Sequence, residues 1–342
     1  KVYITNMKEE VKKGHFIFSE LLFQKMKEKL AKKEQIILLL NRRGYSSVSS
    51  CGNCGEVIKC PNCDISLTYH KTSNMLRCHY CGYASSKVEE CPKCHSHNMK
   101  DFGIGTQKLE EELHHYFKEA KIIRMDMDTT SKKGAHQKII KDFGEGKYDI
   151  LVGTQMIAKG LDFPKVSLVG VMNADASLNI PDFRSSERTF QLLCQVSGRA
   201  GRGDILGEVV IQTYNNNHYS ITLAKEQNYL AFYQEEMKIR KQLNYSPYYY
   251  IILIRISTKD YELSFQEAKK VGDYLRKNLS PTTYILGPAM ANIFRIDNVY
   301  YQQCIIKYKK DDRLKSTLLN LDTHYKGNSK VSLEIDIDPS RL

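Results

Sequence analysis

The sequence predicts a doubly wound α/β fold with a parallel sheet, interrupted by a metal-binding block and followed by a small α+β domain. Three observations support this prediction. Amphipathic helical segments alternate with short apolar strand segments from about residue 19 to about residue 213. Eight of the ten cysteines form four C-x-x-C pairs between Cys51 and Cys94. After the polar stretch "NNNHYS" the pattern changes to β-α-β-β, which is typical of a separate domain.

The α/β part begins with a helix in "SELLFQKMKEKL" and a buried strand in "EQIILLL". Four apolar residues lie on one face of this helix: Leu22, Phe23, Met26 and Leu30. Ser19 is the predicted N-cap, because its hydroxyl can accept a hydrogen bond from an N–H of the first turn. The strand ends in a basic loop, "NRRGYS", which leads into the cysteines.

The cysteine pairs indicate structural zinc. Two residues between thiolates allow a tight turn to direct both sulfurs at one tetrahedral ion, and the Gly and Pro residues in "CGNCG", "CPNC", "CHYCG" and "CPKC" favour such turns. Eight thiolates complete two four-cysteine sites. Four neighbouring histidines could also act as ligands, but none is needed: His70, His79, His95 and His97.

Four pairs can be combined sequentially, crossed or nested. The 14 residues between Cys63 and Cys78 suit a hairpin, since "SLTYH" alternates like a strand and "KTSN" suits a turn. Closing that hairpin would bring its outer ends together, whereas the five residues between Cys54 and Cys60 leave little room to fold back. The spacing therefore favours a nested arrangement. Its outer site is Cys51, Cys54, Cys91 and Cys94, and its inner site is Cys60, Cys63, Cys78 and Cys81.

The α/β alternation resumes after the block. Thr106 is the predicted N-cap of the first helix, "TQKLEEELHHYF". The segments that follow are a strand "KIIRMD", a helix around Gln137 to Phe143, a strand "YDILVG", a short helix, a strand "VSLVGVMNAD", a helix "SSERTFQLLCQVSGRA" and a strand "GEVVIQTY".

The last part of the chain begins with the helical segment "YLAFYQEEMKIRKQL". A strand in "YSPYYYIILIRIS", an amphipathic helix in "LSFQEAKKVGDYLRKNL" and two strands in "NVYYQQCIIKYK" and "KVSLEIDID" complete the predicted α+β domain. The predicted segments are 1–50 and 98–222 for the α/β part, 51–97 for the cysteine insertion, 223–245 for a linker helix and 246–342 for the C-terminal domain.

Two segments at strand ends carry side chains suited to nucleotide or nucleic-acid chemistry. In "ILVGTQMIAKGLDFP", Thr154, Gln155 and Lys159 offer a hydroxyl, an amide and a charge where a helix starts, which suits phosphate oxygens. In "QVSGRAGRG", a helix would place Gln195, Arg199 and Arg202 on one face. Guanidinium groups presented in this way can bind a triphosphate with paired hydrogen bonds.

The chain carries a formal net charge of +12, from 51 Lys and Arg against 39 Asp and Glu. This excess favours polyanionic partners, although lysines on solvated helix faces would give the same balance. The longest purely aliphatic run, Ile36 to Leu40, is far shorter than the roughly 18 residues of a membrane span, so no membrane segment is predicted. The first residue is a lysine, which suggests that the chain is part of a longer protein.

Together, "LLLNRRGYSS", the four C-x-x-C pairs, "ILVGTQMIAKGLDFP" and "QVSGRAGRG" resemble the RecA-like second motor lobe of the PriA family of superfamily 2 replication-restart helicases. The tail segments "ILGPAMANIFR" and "EIDIDP" are similar to the C-terminal domain of that family. The cysteine insertion is the most discriminating part of the resemblance.

The resemblance implies roles for individual residues. Arg199 and Arg202 match arginine fingers of helicase motif VI and, with Gln195, would be catalytic. The implied nucleotide-binding residues are Gly160, Asp162, Arg199 and Arg202. The implied DNA-binding residues are Asn41, Arg42 and Arg43 of motif IV and Thr154, Gln155 and Lys159 of motif V. The eight cysteines match the zinc ligands of the family in the nested pairing.

The resemblance also implies an activity. The complete protein would be an ATP-dependent 3′→5′ DNA helicase that restarts stalled replication forks by unwinding branched DNA and assembling the primosome to reload the replicative helicase. Two Zn²⁺ per chain, with ATP and Mg²⁺ in the full-length enzyme, are the implied cofactors. The implied partners are branched, forked and single-stranded DNA, primosome loading proteins, single-strand DNA-binding protein and the replicative helicase. The implied location is the cytoplasm, in association with the nucleoid.

The chain departs from a complete helicase in two respects. It has no G-x-x-x-x-G-K-[ST] loop and no DEAH- or DEEH-like box. We therefore expect this chain alone to hydrolyse ATP negligibly. Two alternatives stay open from the sequence, namely a non-enzymatic zinc-ribbon scaffold that binds nucleic acid and a helicase that acts on RNA.

Overall fold

A computed structural model describes residues 1–41, 47–51, 54, 56–70, 74–78, 80–102, 105–126, 129–130, 132–158, 163–180, 182–198 and 206–342. The chain divides into two compact units. The first unit is Lys1–Tyr45 with Gly103–Glu236, and the second unit is Ser46–Phe102 with Met237–Leu342. The boundaries of the five segments predicted from the sequence stay predictions.

The helices and strands of the described residues follow in chain order. The strands are β1 (Val2–Asn6), β2 (Gln35–Leu40), β3 (Ser47–Cys51), β4 (Thr68–His70), β5 (Met75–Arg77), β6 (Ala84–Ser86), β7 (Met99–Phe102), β8 (Ile122–Met125), β9 (Ile150–Gly153), β10 (Val166–Met172), β11 (Glu208–Thr213), β12 (Tyr250–Thr258), β13 (Tyr284–Ile296), β14 (Val299–Tyr308) and β15 (Val331–Ile337). The α-helices are α1 (Met7–Lys12), α2 (Glu20–Ala31), α3 (Thr106–Tyr116), α4 (Ala135–Gly144), α5 (Ser185–Ser197), α6 (Tyr219–Lys225), α7 (Tyr229–Gln242), α8 (Tyr261–Asn278) and α9 (Leu314–Tyr325). Two 3₁₀ helices cover Gln155–Ala158 and Ala174–Ser177.

The first unit contains a six-stranded sheet in the order β1-β11-β10-β2-β9-β8, and every neighbouring pair is parallel. Strand β2 lies inside this sheet and all six of its residues are buried. Because successive side chains point to opposite faces, Ile36 and Leu38 join a core with α2 and α3, while Ile37 and Leu39 join a core with α4 and α5. The predicted doubly wound α/β lobe is confirmed.

Edge strand β1 was not anticipated from the sequence. It pairs in parallel with β11, with Val2 opposite Val209. All five residues of β1 are only half-buried, and its sequence "VYITN" is short and partly polar. A short edge strand of this kind carries a weak local signal, so its place in the sheet depends on the neighbouring strand.

The two predicted N-caps have different outcomes. Ser19 caps α2 as predicted, since its Oγ accepts from the Leu22 N–H at 3.3 Å. The prediction for Thr106 is wrong, because α3 begins at Thr106 itself and its N-cap is Gly105. The Thr106 hydroxyl instead donates to Asp126 Oδ2 at 2.6 Å. This long-range bond to a buried carboxylate takes the place of the local cap.

A partly buried charge cluster joins β11 to α2 and β1. Glu208 accepts from Lys25 Nζ at 2.6 Å and from the Tyr3 hydroxyl at 3.0 Å, and Lys29 Nζ lies 3.2 Å away. Burial alone would raise the pKa of Glu208, but the hydrogen bonds from these three groups outweigh it and lower the pKa from 4.5 to about 2. The carboxylate therefore stabilises the folded lobe.

We expect the substitution Glu208→Gln to lower the free energy of unfolding at pH 7 by about 2 kcal/mol, because it removes the charge from charge-assisted hydrogen bonds. The folded pKa lies below the ordinary value, so this stabilisation is present above about pH 4.5 and is lost as the pH falls towards 2. Urea unfolding followed by circular dichroism at several pH values measures the difference. Glu145→Gln, which alters exposed ion pairs with Lys141 and Lys147 outside this cluster, is the matched control and should have a much smaller effect. Equal losses in the two variants would contradict the assignment.

The second unit contains two antiparallel sheets. One has five short strands in the order β6-β5-β4-β3-β7 and carries the cysteines, and we call it the cysteine block (47–102). The other has four strands in the order β13-β14-β12-β15, with α8 and α9 packed against the sheet to form its core. We call this part the C-terminal domain (250–337).

The predicted β-α-β-β order of the C-terminal domain is incomplete. The observed order is β-α-β-β-α-β, because β13 and α9 are also present. The register of β13 against β14 shifts after Leu286 and again after Met290. These irregularities, beside Gly287 and Pro288, interrupt the alternation that marks a strand in sequence. Across the described part of the chain, no helix combines the length and apolarity needed to cross a membrane.

Candidate metal centres and sheet-edge site

All four C-x-x-C pairs have the same local fold. In each pair the N–H of the first cysteine donates to the carbonyl oxygen five residues later, at 2.8 to 2.9 Å: Cys51 to Glu56, Cys60 to Ile65, Cys78 to Tyr83 and Cys91 to Ser96. This bond closes a tight loop around the two sulfurs of the pair. Each pair is therefore a preformed half-site.

The inner site is assembled by the hairpin of β4 and β5. These strands pair with Thr68 opposite Arg77, which brings the pair before β4 close to the pair after β5. The Sγ atoms of Cys60 and Cys81 lie 3.6 Å apart. All four sulfurs of this site lie within 4.8 Å of one another, and Cys60, Cys63 and Cys78 are buried.

The outer site is assembled by strands β3 and β7. Cys51 at the end of β3 lies opposite Met99 at the start of β7, so the first pair meets the pair that precedes β7. Cys51 Sγ lies 3.6 Å from Cys94 Sγ, and Cys54 Sγ lies 3.6 Å from Cys91 Sγ. Cys54 and Cys94 are exposed, unlike the inner sulfurs. The structure groups the cysteines in the nested arrangement that the spacing favoured, and their role as zinc ligands stays a prediction.

The donor sets fit zinc. A tetrahedral ion with Zn–S bonds of about 2.3 Å separates its sulfurs by about 3.8 Å, close to the observed 3.6 Å, whereas a disulfide requires about 2.05 Å. Burial raises the pKa of the Cys63 thiol to about 12, while the Tyr83 backbone N–H lowers the pKa of Cys81 to about 7. A cation held by these four sulfurs would supply the charge that favours their ionised form. His95 follows Cys94 but belongs to neither four-cysteine group, and its Nδ1 lies 2.6 Å from Glu90 Oε1.

Three residues of the second predicted set, Asn41, Thr154 and Gln155, lie at the edge of the six-stranded sheet where the parallel strands end. Asn41 follows β2, and Thr154 follows the neighbouring strand β9. Gln155 begins the 3₁₀ helix after Thr154. Carboxyl ends of parallel strands are the usual place for ligands in open α/β sheets.

Gly153 lets the β9 turn approach β8 closely. A Cβ at this position would lie 2.5 Å from the Met125 carbonyl oxygen, so no side chain fits there. The Thr154 carbonyl accepts from the Ile157 N–H at 3.0 Å and starts the 3₁₀ turn. This arrangement holds Thr154, which is half-buried, at a defined position on the sheet edge.

Asn41 has a different environment from the one implied by the resemblance. Its side chain is 1% exposed, its Nδ2 donates to the Ala174 carbonyl at 2.8 Å, and its Oδ1 accepts from the Ser177 hydroxyl at 3.2 Å. Both polar atoms are therefore committed to the segment that follows β10. The structure does not support a direct contact of this side chain with DNA.

Two buried aspartates of the sheet edge were missed by the sequence reasoning. Asp175 accepts hydrogen bonds from the Thr213 hydroxyl and from the N–H groups of Tyr214 and Asn215, at 2.6 to 3.0 Å. Asp126 accepts from Thr106 and from the Thr129 N–H. Each carboxylate organises a loop after a strand. The only sequence signal is an acidic residue just past a buried strand.

Helix α5 carries Gln195 on its exposed side and ends at Ser197, with Gly198 as its C-cap. Buried Phe190, Leu193 and Val196 fix this helix against the sheet. The other predicted nucleotide and DNA residues lie outside the described residues: Arg42, Arg43, Lys159, Gly160, Asp162, Arg199 and Arg202. Their predicted roles stay predictions.

Three protein-family models match the chain. Residues 60–85 match the PriA DNA helicase Cys-rich region domain, residues 88–204 match the helicase conserved C-terminal domain, and residues 241–340 match the primosomal protein N C-terminal domain. The first match contains the inner cysteines, and the second contains Thr154 and Gln195.

Curated relatives are similar over nearly the whole chain. The chain is 50% identical to the replication restart protein PriA of Bacillus subtilis strain 168, over 99% of this chain and 43% of that protein. It is 44% identical to the replication restart protein PriA of Synechocystis sp., over 99% of this chain and 41% of that protein. The chain therefore spans less than half of the length of these relatives.

Proposed function

Because the chain belongs to the PriA family and corresponds to its C-terminal portion, we propose that it forms the second motor lobe, the zinc-binding block and the C-terminal domain of an ATP-dependent 3′→5′ DNA helicase. This helicase restarts stalled replication forks by unwinding branched DNA and assembling the primosome to reload the replicative helicase. The observation that carries the proposal is the combination, in one chain, of a parallel-sheet helicase lobe with two nested four-sulfur clusters.

Each four-cysteine site holds one Zn²⁺ in this proposal, so two ions are bound per chain. Zinc supplies no redox chemistry and no open coordination position here, since four thiolates complete a tetrahedron. The cysteines therefore stabilise the short strands of the cysteine block. Three of the four inner cysteines are buried, while two of the outer cysteines are exposed.

The motor function rests on the edge of the six-stranded sheet. ATP and Mg²⁺ bind mainly to a preceding lobe, and Arg199, Arg202 and Gln195 complete the nucleotide site together with Gly160 and Asp162. Thr154, Gln155 and Lys159 contact the backbone of the tracking DNA strand, with Arg42 and Arg43 beside them. The close approach of Gly153 to the Met125 carbonyl and the hydrogen bond from the Ile157 N–H to the Thr154 carbonyl define the Thr154 turn, which suits a segment that transmits movement between nucleotide and DNA. Asn41 has a structural role at this edge, because its side chain is hydrogen-bonded to the segment after β10 and does not contact DNA.

The partners in this proposal are branched, forked and single-stranded DNA, and the net charge of +12 favours such polyanions. Primosome loading proteins, single-strand DNA-binding protein and the replicative helicase are proposed protein partners, and the protein acts at the nucleoid.

The proposal predicts a difference in ATP hydrolysis between this chain and a complete protein, which also contains a lobe with the phosphate-binding G-x-x-x-x-G-K-[ST] loop. With single-stranded DNA present, this chain alone should hydrolyse ATP at the background rate, because it has no P-loop lysine to cradle the phosphates. The complete protein should show DNA-stimulated turnover. A coupled steady-state ATPase assay, with a forked-DNA unwinding assay beside it, measures both.

Two results would contradict the proposal. Substantial turnover by this chain alone would show that the nucleotide site is elsewhere. A complete protein that binds DNA but gains no DNA-stimulated ATPase would instead favour a non-enzymatic scaffold. Forked RNA unwound as well as forked DNA would correct the substrate class.

A further inference from the structure

The hairpin of β13 and β14 ends in a two-residue turn at Asp297 and Asn298. Both residues have positive φ angles, 50° and 59°, and Ile296 pairs with Val299 on either side of the turn. These are the features of a type I′ turn, which matches the twist of the hairpin. A turn of this type directs the N–H groups of its two central residues away from the ladder. They are therefore available to donate to a neighbouring element.

The neighbouring element is the Cys60–Cys63 turn of the inner metal site, in the same compact unit. The Asp297 N–H donates to Cys63 Sγ at 3.2 Å. The Asn298 N–H donates to the Asn62 carbonyl at 2.9 Å, and Asn298 Nδ2 donates to Asn62 Oδ1 at 3.3 Å. The turn of the C-terminal domain is thus bonded to a metal-ligand sulfur and to the residue that precedes it.

The residues just before the turn, Arg295 and Ile296, add an ion pair and an apolar contact to these hydrogen bonds. The Asp64 N–H donates to the Arg295 carbonyl at 2.9 Å, and Arg295 Nε lies 3.3 Å from Asp64 Oδ1. Ile296 packs against the core of the cysteine block. This core consists of Ile58, Cys60, Cys63, Leu67, Leu76 and Cys78. Backbone hydrogen bonds, an ion pair and an apolar contact therefore all join the hairpin tip to the inner cysteine site.

The metal controls this surface for two reasons. A zinc-bound thiolate is a much stronger acceptor for the Asp297 N–H than a neutral thiol, because the hydrogen bond is charge-assisted. Zinc also holds the Cys60–Cys63 turn in the shape that presents the Asn62 carbonyl and the Asp64 N–H. Hydrogen bonds to ligand sulfurs in turn orient the ligands and stabilise the bound metal. Occupancy of the inner site and docking of the hairpin should therefore be coupled.

We propose that the inner four-cysteine site is a metal-dependent docking platform that fixes the C-terminal domain to the cysteine block through the Asp297–Asn298 turn. The contacts described above between the hairpin and the cysteine block all involve residues of the inner site or its flank. The proposal therefore assigns the docking to the inner site and not to the outer one. The inference rests on the proposed zinc occupancy. It assigns different roles to the two metal sites.

Hydrogen–deuterium exchange of the full zinc-loaded chain tests the docking. Cys81→Ser removes an inner ligand that accepts no bond from the turn, and Cys94→Ser removes an outer ligand as the matched control. We expect amide exchange in the hairpin tip, residues 293 to 301, to become on the order of ten-fold faster in Cys81→Ser and to stay unchanged in Cys94→Ser. Protection in β12, at the centre of the C-terminal domain, should persist in both variants and shows that this domain is folded. Unchanged exchange at the tip in Cys81→Ser, or an equal increase in Cys94→Ser, would overturn the proposal.

The reciprocal experiment leaves every cysteine in place. The double variant Arg295→Ala with Ile296→Ala removes the ion pair and the apolar contact, and we expect one of the two zinc ions to be released to a colorimetric chelator several-fold faster while the other keeps its rate. Release of both ions at the rates of the parent chain would overturn the coupling. Metal analysis separates the two levels of inference. A chain without zinc refutes the proposed metal sites. A chain with two zinc ions, in which neither exchange at the hairpin tip nor zinc release changes in the variants, refutes the docking alone.

Discussion

Removal of zinc should unfold the cysteine block while the first unit stays folded. The reason is the composition of its core: among the described residues, three of the six buried members are cysteines, and the buried apolar members are Ile58, Leu67 and Leu76. So few apolar side chains cannot stabilise five short strands without a metal. Each structural zinc contributes on the order of 10 to 16 kcal/mol of apparent binding free energy in zinc-finger peptides, which is as large as the stability of a whole domain.

Metal analysis of the purified chain should give two zinc ions per chain. After a strong chelator is added, hydrogen exchange should show near-complete loss of protection in β4 and β5 and retained protection in β2 and β9, which lie within the six-stranded sheet. Cys194→Ser, which alters a thiol outside both clusters, should still bind two zinc ions. One zinc per chain, or protection in β4 and β5 that survives chelation, would contradict the two-site assignment.

Substitution of Arg202 by alanine in a complete protein should lower ATP turnover by about 10³-fold or more and should change DNA affinity far less. An arginine that reaches the transferred phosphoryl group stabilises charge that develops in the transition state, and such fingers contribute about 10³ to 10⁵ in rate in GTPases. The structure provides a rigid base for this role, because α5 is held by Phe190, Leu193 and Val196 until it ends at Ser197, just before the arginines.

Turnover and DNA affinity must be measured separately for this test, by steady-state ATPase assays and by fluorescence anisotropy with labelled forked DNA. Gln191→Ala is a matched control, since Gln191 is exposed on α5 and bonds to Glu187 of the same helix. It should leave turnover within about two-fold of the parent. Equal losses of turnover and affinity in Arg202→Ala would identify Arg202 as a DNA contact instead of a finger.

The order of the elements was largely predictable because their signals are local. A buried parallel strand such as β2 reads as a continuous apolar run, and α2 shows its buried face in the spacing of Leu22 and Met26. Strand β1 and helix α9 were missed. Strand β13 was also missed, because Gly287, Pro288 and two register shifts interrupt its alternation.

The candidate metal sites were more predictable than the sheet-edge site. Two residues between cysteines determine the local turn, and loop length then favours the nested pairing that β3–β7 and β4–β5 pairing bring about. Asn41 and Thr106 show the opposite case. The side chain of Asn41, to which the family resemblance assigns a DNA contact, is bonded to Ala174 and Ser177. The side chain of Thr106, which the local pattern assigns to a helix cap, is bonded to Asp126. Their partners lie 20 or more residues away, so no local pattern reveals them.

The sequence by itself determined the pairing of the cysteines in C-x-x-C turns and the alternation of helices and strands, because cysteine spacing and hydrophobic period are properties of a few neighbouring residues. Tertiary structure alone decided the place of β1 at the sheet edge, the burial of Asn41 and the contact of the Asp297–Asn298 turn with Cys63. These features depend on groups that are up to 234 residues apart in the chain and meet only when whole elements pack. A backbone N–H has no preference for a distant sulfur until the fold brings the two within hydrogen-bonding distance.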